Sequence, residues 1–380
     1  MRKITLSFIF FMFFVLSLFA QEYEVENYTK TFTDSDRRNR RVTAKIYYPN
    51  QQTSVNENYP VIVFGHGFVM NYSAYENFFD TLVSKGYIVA FVTTEGSVFA
   101  NHRAYAEDLA FMVNQVKTEA MDSNSPIYNL VGDKNALLGH SMGGGAAIVA
   151  ASMVEVNTLV TFAPAKLRFN TTTPATQVSE EAIVFSGSAD GVTKPSENHI
   201  PLYESLASNC KYFISITGGA HCYYAMPNGY CDFGERFSSR DITVTRSEQQ
   251  EIMFTYVIPW LDYKLKNDSS SYDEFVNTLN SASEVTYEND CSNEIDSEIE
   301  KLPKSSFRVK VGPNPTKSSI NISSSDEYEI EKVEVYNQFG KLFLNSKGKR
   351  VVDLSSLHSG IYLIKVYSKG KTITKKVVVE

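Results

Sequence analysis

One serine stands where a covalent nucleophile has to stand. Ser141 is the centre of a Gly-x-Ser-x-Gly pattern, GHSMG at 139–143, that follows the apolar run NALLG and opens the small-residue run MGGGAAIVAAS. A serine between a strand and a helix turns the chain so tightly that its neighbours must be glycine or small. The turn lifts the hydroxyl clear of the sheet and puts a helix N-terminus beside it. The pattern therefore predicts a nucleophilic serine.

Two later loops contain candidates for the acid and the base that such a serine requires. A serine hydroxyl is a poor nucleophile until a base removes its proton and an acid orients that base. In hydrolases with this turn the acid and then the histidine follow the serine along the chain. The run AIVFS leads into GSADGVT, which contains Asp190, and KYFISI leads into TGGAH, which ends in His221. We predict the triad Ser141, Asp190 and His221.

Other histidines and acids compete for these roles. The five other histidines suit the role of the base less well. His66 precedes the region expected to bind the oxyanion, His140 adjoins the serine but is expected to be structural, and His358 belongs to the C-terminal segment. His102 and His199 in particular fall at helix starts or in loops beside helices, where a solvated or capping role is expected. Asp232 and Glu204 are fallback acids, but neither directly follows a predicted strand.

An oxyanion hole is expected from two backbone N–H groups. One belongs to the residue after the nucleophile, Met142, and the other to the loop after an early strand. That strand is VIVF and its loop is GHGFVMNYSAY, so the second donor is assigned to Phe68, with Gly67 allowing a close approach. The Phe68 ring and the Met142 side chain are expected to form a wall of the acyl site. The alternative is that Phe68 belongs to the core.

The elements that must position these residues alternate along the chain. Short apolar runs that end in turn residues occupy 61–65, 87–92, 135–139, 157–162, 182–186 and 211–216. Helical patterns occupy the stretches around 74–85, 102–119, 142–152, 196–208 and 246–266. This alternation predicts an α/β fold, a doubly wound, mostly parallel sheet with helices on both faces. The only tryptophan, Trp260, is expected in the core.

Composition excludes several classes of protein. The chain has 380 residues, of which 43% are hydrophobic and 21% charged, with a net charge of −7. These values exclude wholesale disorder and fibrous repeats, and a nucleic-acid partner is not expected without a basic surplus. The length predicts two or three domains.

The N-terminus predicts export. Residues 1–20 place Arg2 and Lys3 before an apolar run of about fifteen residues, the layout of a signal peptide. The alternative is a membrane anchor. Exported cysteines can oxidise. We predict a Cys222–Cys231 disulfide, which closes a short loop after His221, and Cys210–Cys291 as the second pair, although four cysteines allow three connectivities.

The chain changes character after residue 293. Residues 294–306 are polar and acidic and read as a linker between a catalytic domain at 21–293 and a C-terminal domain at 307–380. The last segment has short alternating strands such as KVEVYNQ, GIYLIKV and ITKKVVV, which predict a small β-sandwich. It carries 13 Lys and Arg against 7 Asp and Glu, opposite in sign to the whole chain.

The catalytic region resembles the α/β-hydrolases of the PET hydrolase and cutinase type, related in layout to dienelactone hydrolases. The resemblance runs from about residue 23 to 285 and rests on GHGF, GHSMGGG, SADGVT and GGAHCYY. It implies hydrolysis of carboxylic esters or polyesters without a cofactor, metal or large lid, and we expect a monomer. Such enzymes carry a tryptophan where this sequence has Ala165, which argues against aromatic polyesters unless Tyr223 or Tyr224 supplies a ring.

The C-terminal segment resembles the sorting domain of the type IX secretion system. Its motifs are VGPNPTKSSINI, VEVYNQFGKLF, LSSLHSGIYLIKV and KTITKKVVVE, over nearly all of 309–380. The resemblance implies that secretion machinery is a partner and that the protein reaches the cell surface or the medium. The alternative for this segment is a substrate-binding module. For the whole protein, the alternatives are a serine peptidase or acyltransferase on the same fold, and a non-catalytic surface-binding protein.

Overall fold

The computed structural model describes residues 23–50, 58–291, 309–324, 329–337, 341–368 and 371–379. The predicted signal peptide at 1–20 and the predicted linker at 294–306 lie outside the described residues. The chain divides into two compact units, Met1–Asn293 and Glu294–Glu380. Among the described residues, no helix has both the length and the apolar character that crossing a bilayer requires.

The first unit is built on one nine-stranded sheet. Its strands are Val25–Asp34 (β1), Arg40–Pro49 (β2), Tyr59–Gly65 (β3), Ile88–Val92 (β4), Val131–His140 (β5), Thr158–Phe162 (β6), Ala182–Gly187 (β7), Cys210–Ile216 (β8) and Val285–Cys291 (β9). The order across the sheet is β1-β2-β4-β3-β5-β6-β7-β8-β9. Strands β3 to β8 are parallel and correspond to the six predicted apolar runs. The antiparallel strands β1, β2 and β9 were not predicted.

Helices cover both faces of this sheet. They are Glu76–Ser84 (α1), His102–Glu119 (α2), Met142–Ala151 (α3), Thr172–Ala175 (α4), His199–Ser205 (α5), Gly229–Ser238 (α6), Arg246–Lys266 (α7) and Ser269–Ser281 (α8). Successive side chains of a strand point to opposite faces. Thus Val61 and Val63 belong to the buried cluster that includes α2 and α3, and Ile62 and Phe64 belong to the cluster that includes α1 and α7. Trp260 is buried in the second cluster, as predicted.

Seven strands make up the described part of the second unit. They are Val309–Gly312 (β10), Ser319–Ser324 (β11), Lys332–Asn337 (β12), Leu342–Lys347 (β13), Val351–Asp353 (β14), Gly360–Ser368 (β15) and Lys371–Val379 (β16). They form one antiparallel sheet of order β10-β11-β14 and another of order β13-β12-β15-β16. Apolar side chains of both sheets, such as Ile320 and Val333, share one buried cluster.

Candidate active site

Ser141 is the single residue that joins β5 to α3. Its φ is 56°, in the left-handed region that usually favours glycine, which is how the turn reverses within one residue. The glycines around Ser141 are required because nearby backbone atoms leave no room for a side chain. A Cβ on Gly143 would lie 2.1 Å from the carbonyl oxygen of Gly65, and one on Gly139 would lie 2.3 Å from that of Gly143. The GHSMG pattern therefore reflects close backbone packing around the serine.

The three predicted triad residues lie in hydrogen-bonding contact. Asp190 follows β7 and His221 follows β8, so both stand with Ser141 at the carboxyl edge of the parallel strands. His221 Nε2 is 2.9 Å from Ser141 Oγ, and His221 Nδ1 is 2.7 Å from Asp190 Oδ2. The fallback acids lie elsewhere: Asp232 pairs with Arg246 at 2.5 Å, and Glu204 is exposed on α5.

Electrostatics suit an ionised acid beside a basic imidazole. Burial by itself would raise the pKa of Asp190, but the charge and hydrogen bond of His221, together with His199 and a backbone N–H, hold it below its usual range. Burial also lowers the pKa of His221, but the charge and hydrogen bond of Asp190, with the charge of Glu235, outweigh it and raise the pKa overall. The pair therefore favours His221 as a base stronger than an ordinary imidazole.

Two residues that the sequence did not indicate complete the surroundings of Asp190. Thr193 Oγ1 lies 3.0 Å from Asp190 Oδ2 and 2.8 Å from His221 Nδ1. His199 Nε2 is 2.9 Å from the same hydroxyl, and its Nδ1 is 2.8 Å from Ser186 Oγ. His199 is fully buried, and burial lowers its pKa to about 3, so the ring is neutral. The expectation of a solvated or capping His199 is wrong, because the loop after β7 folds this helix start inward against the acid.

The same cluster has the composition of a metal site. Ligand atoms of Asp190, His199 and His221 lie within 4.8 Å of one another. The Thr193 hydroxyl lies between them, within 3.0 Å of an atom of each. The direct contact of His221 with Asp190 and the hydrogen bonds to this hydroxyl together hold the three side chains close to one another.

A buried tyrosine and histidine connect the loop after β3 with the histidine loop. The Gly67 N–H donates to the Tyr75 hydroxyl at 2.8 Å, and that hydroxyl lies 2.9 Å from His140 Nδ1. His140 Nε2 is 3.0 Å from the carbonyl oxygen of His221. Burial lowers the pKa of His140 well below its usual value, so the ring is neutral and donates one proton. His140 is therefore structural, as expected.

Helix α6, which the sequence did not indicate, holds the histidine loop from the other side. Its Cys231 is disulfide-bonded to Cys222, the residue after His221. Glu235 Oε2 accepts the Cys222 N–H at 2.5 Å, and its other oxygen contacts the Ser239 hydroxyl, which accepts the N–H of Gly191. Glu235 thus connects the loop of His221 with the loop of Asp190.

A second disulfide joins the last two strands of the sheet. Cys210 on β8 lies opposite Cys291 on β9, and the two are bonded. Both disulfides are the pairs that were expected from the sequence.

The serine and histidine open into a cavity of about 260 Å³, lined by Phe68, Val69, Met70, Val98, Ser141, Val192, His221, Tyr230, Cys231 and Gly234. The Phe68 ring is 41% exposed and belongs to this lining rather than to the core. Among the hydrogen bonds of the described residues, the backbone N–H groups of Phe68 and Met142 have no protein acceptor. The Met142 side chain is 2% exposed and packs in the core, so the expected wall consists of Phe68 without it.

Ala165 lies beside the serine. Its N–H donates to the carbonyl oxygen of Ser141 at 2.9 Å, and the residue is half-buried. The position is therefore next to Ser141, although it is not among the residues that line the cavity.

Comparison with known families gives two matches. Residues 28–293 match the model of a family described as PET hydrolase-like. Residues 310–380 match that of the secretion system C-terminal sorting domain. No curated protein matches the chain.

Proposed function

The chain belongs to the PET hydrolase-like family, and on this premise we propose that it is a secreted serine esterase that cleaves carboxylic esters through an acyl-enzyme on Ser141. The observation that carries the proposal is the unbroken series of contacts from Ser141 Oγ through His221 to Asp190, at the wall of an open cavity. A base, an orienting acid and a nucleophile in this order are what acyl transfer requires.

The proposed reaction proceeds in two halves. His221 Nε2 takes the proton of Ser141 as Oγ attacks the ester carbonyl, and the imidazolium is stabilised by Asp190. The backbone N–H groups of Phe68 and Met142 donate to the oxyanion that forms. His221 then protonates the departing alkoxide, and water activated by the same ring releases the acid. His199 and Thr193 are buried and neutral, so the charge that contacts His221 directly is that of Asp190.

The test of this function is labelling followed by a substrate series. A fluorophosphonate should label Ser141, and p-nitrophenyl esters of short and medium chain length should be hydrolysed without interfacial activation. Assays of peptide hydrolysis and of acyl transfer on the same preparation test the two alternative activities, those of a serine peptidase and of an acyltransferase. Failure to label, with no ester turnover, would contradict the proposal.

The rate should depend on pH through His221. Only the neutral ring accepts the serine proton, so kcat/KM falls as His221 becomes protonated. Because the pKa of His221 is raised above its ordinary value of 6.5, the midpoint of the acid limb is expected above pH 6.5. A pH profile of p-nitrophenyl butyrate hydrolysis measures it, and a midpoint at or below 6.5 would contradict this electrostatic account.

Ala165 is proposed to limit the rate at which aromatic polyesters are hydrolysed. A tryptophan there would add a ring beside Ser141, and Ala165→Trp is expected to raise the rate on an aromatic polyester relative to p-nitrophenyl butyrate about two- to tenfold, since an aromatic pair contributes about 0.5–1.5 kcal/mol. The ratio of the two rates is the measurement, because it cancels general damage to the triad. A flat or lower ratio would show that Ala165 does not shape the cleft.

The C-terminal segment is a type IX secretion sorting domain, and the protein is exported through that system to the cell surface or medium. We further propose that this domain is a β-sandwich at 307–380 that works independently of a catalytic domain at 21–293. The alternation of buried residues in its two sheets supports the sandwich.

Removal of residues 294–380 should therefore separate secretion from catalysis. All proposed catalytic residues lie in the unit Met1–Asn293, so purified truncated enzyme should keep ester hydrolysis within about twofold, typical of a change far from the site. In the native host the truncated enzyme should accumulate in the periplasm, while full-length enzyme in the same strain is the control. Normal appearance of the truncated form in the medium would overturn the sorting role.

A further inference from the structure

Helix α6 exposes an aromatic face. Tyr230, Phe233 and Phe237 are spaced i, i+3 and i+7, which places them on one side of the helix. They are 72%, 67% and 64% exposed, and the rings of Phe233 and Phe237 are in contact with centroids 4.8 Å apart. Three neighbouring exposed rings on one helix are unusual for a soluble surface and mark a place of interaction. We call these three residues the aromatic face.

The opposite side of α6 is fixed to the protein. Cys231 is disulfide-bonded to Cys222, and the Glu235 carboxylate accepts the N–H of Cys222. Asp232 pairs with Arg246 on α7. These three contacts hold the helix in one orientation, in which the aromatic face is exposed to solvent. The helix cannot turn this face inward without breaking them.

The aromatic face is continuous with the catalytic cavity. Tyr230 lines that cavity together with Ser141, while Phe233 and Phe237 lie further along the same side of α6 and do not line it. Val98 lines the same cavity, and its chain neighbour Phe99 is 88% exposed. Exposed aromatic residues thus adjoin two members of the cavity lining, Tyr230 and Val98.

We propose that the aromatic face docks the enzyme on the surface of an insoluble, apolar polyester, a proposal that rests on the esterase function above. A small ester is accommodated by the cavity of about 260 Å³ without reaching Phe233 or Phe237. These rings can contact only a ligand that continues beyond the cavity, and burying them against apolar polymer is favourable in proportion to the area removed from water. A polymer chain that lies along α6 leads its ester groups past Tyr230 to Ser141.

Adsorption can be measured without catalysis. In the full-length chain carrying Ser141→Ala, the double change Phe233→Ala/Phe237→Ala should weaken adsorption to a polycaprolactone film by at least about tenfold, or about 1.4 kcal/mol. Alanine is a good helix former, so α6 should persist. The matched control is Tyr128→Ala, which should leave adsorption unchanged. Tyr128 is 43% exposed and precedes the amino end of β5, whereas Ser141 follows the carboxyl end of that strand.

Activity measurements with Ser141 intact test the docking role separately from the esterase function. With Ser141 present, the double variant should hydrolyse soluble p-nitrophenyl butyrate within about twofold of wild type, since neither ring lines the cavity, while film hydrolysis falls in step with adsorption. Unchanged film adsorption would overturn the docking role even if the enzyme is an esterase. A wild-type dimer that the double change converts to monomers, without loss of film adsorption, would also overturn it and assign the face to a second copy.

Discussion

Ser141→Ala should reduce ester turnover by a factor on the order of 10⁶, because the variant cannot form the acyl-enzyme. The residual rate should exceed the uncatalysed reaction by about 10³, since the oxyanion donors Phe68 and Met142 belong to the backbone and remain. The fold should persist, because the change removes only a hydroxyl and Ala tolerates the turn at a modest cost. The measurement is kcat for p-nitrophenyl butyrate together with fluorophosphonate labelling.

A matched serine variant separates the nucleophile from general effects. Ser152 ends the same helix α3, and its hydroxyl donates to the carbonyl oxygen of Val149 at 2.7 Å. Ser152→Ala should stay within about twofold of wild type, as a change with no role in the chemistry. If Ser141→Ala kept more than a tenth of wild-type activity, the nucleophile would have to be another residue.

Asp190→Asn should lower kcat by about 10⁴. Two backbone N–H groups, of Val192 and Thr193, donate to Asp190 Oδ1 at 2.8 Å each, so they should hold the amide oxygen of the variant in that place. The amide NH₂ then faces His221 Nδ1, which must accept a hydrogen bond. The proton of the ring moves to Nε2, opposite Ser141 Oγ, where it prevents His221 from acting as a base.

The pH profile of this variant provides an independent readout. The charge of Asp190 raises the pKa of His221, so its loss should move the acid limb of kcat/KM to lower pH than in the wild type. Asp232→Asn is the control, because Asp232 pairs with Arg246 and was the fallback acid. A larger loss in Asp232→Asn than in Asp190→Asn would reverse the assignment of the acid.

The order of residue types along the chain was sufficient to predict the features that depend on neighbouring residues. Parallel strands covered on both faces read as continuous apolar runs, so β3 to β8 were evident. The glycines around Ser141 were enough to predict the tight turn, because backbone packing leaves no room for a Cβ at Gly139 or Gly143. The antiparallel strands β1 and β9 were missed because their many exposed side chains dilute the apolar pattern. Strand β2 was missed because polar, partly buried residues such as Thr43 and Lys45 interrupt its buried apolar ones.

The polar surroundings of Asp190 come together through folding and could not be predicted from the sequence. Thr193 contacts both Asp190 and His221 because the segment after β7 meets the loop after β8, and His199 contacts the Thr193 hydroxyl. A buried polar residue has no periodic signature in the sequence. The orientation of helix α6 could not be predicted from its sequence either. The spacing of Tyr230, Phe233 and Phe237 is the one that usually marks a buried face. The disulfide of Cys231 and the hydrogen bonds of Glu235 instead draw the other side inward, and these contacts with a distant loop decide which face meets the solvent.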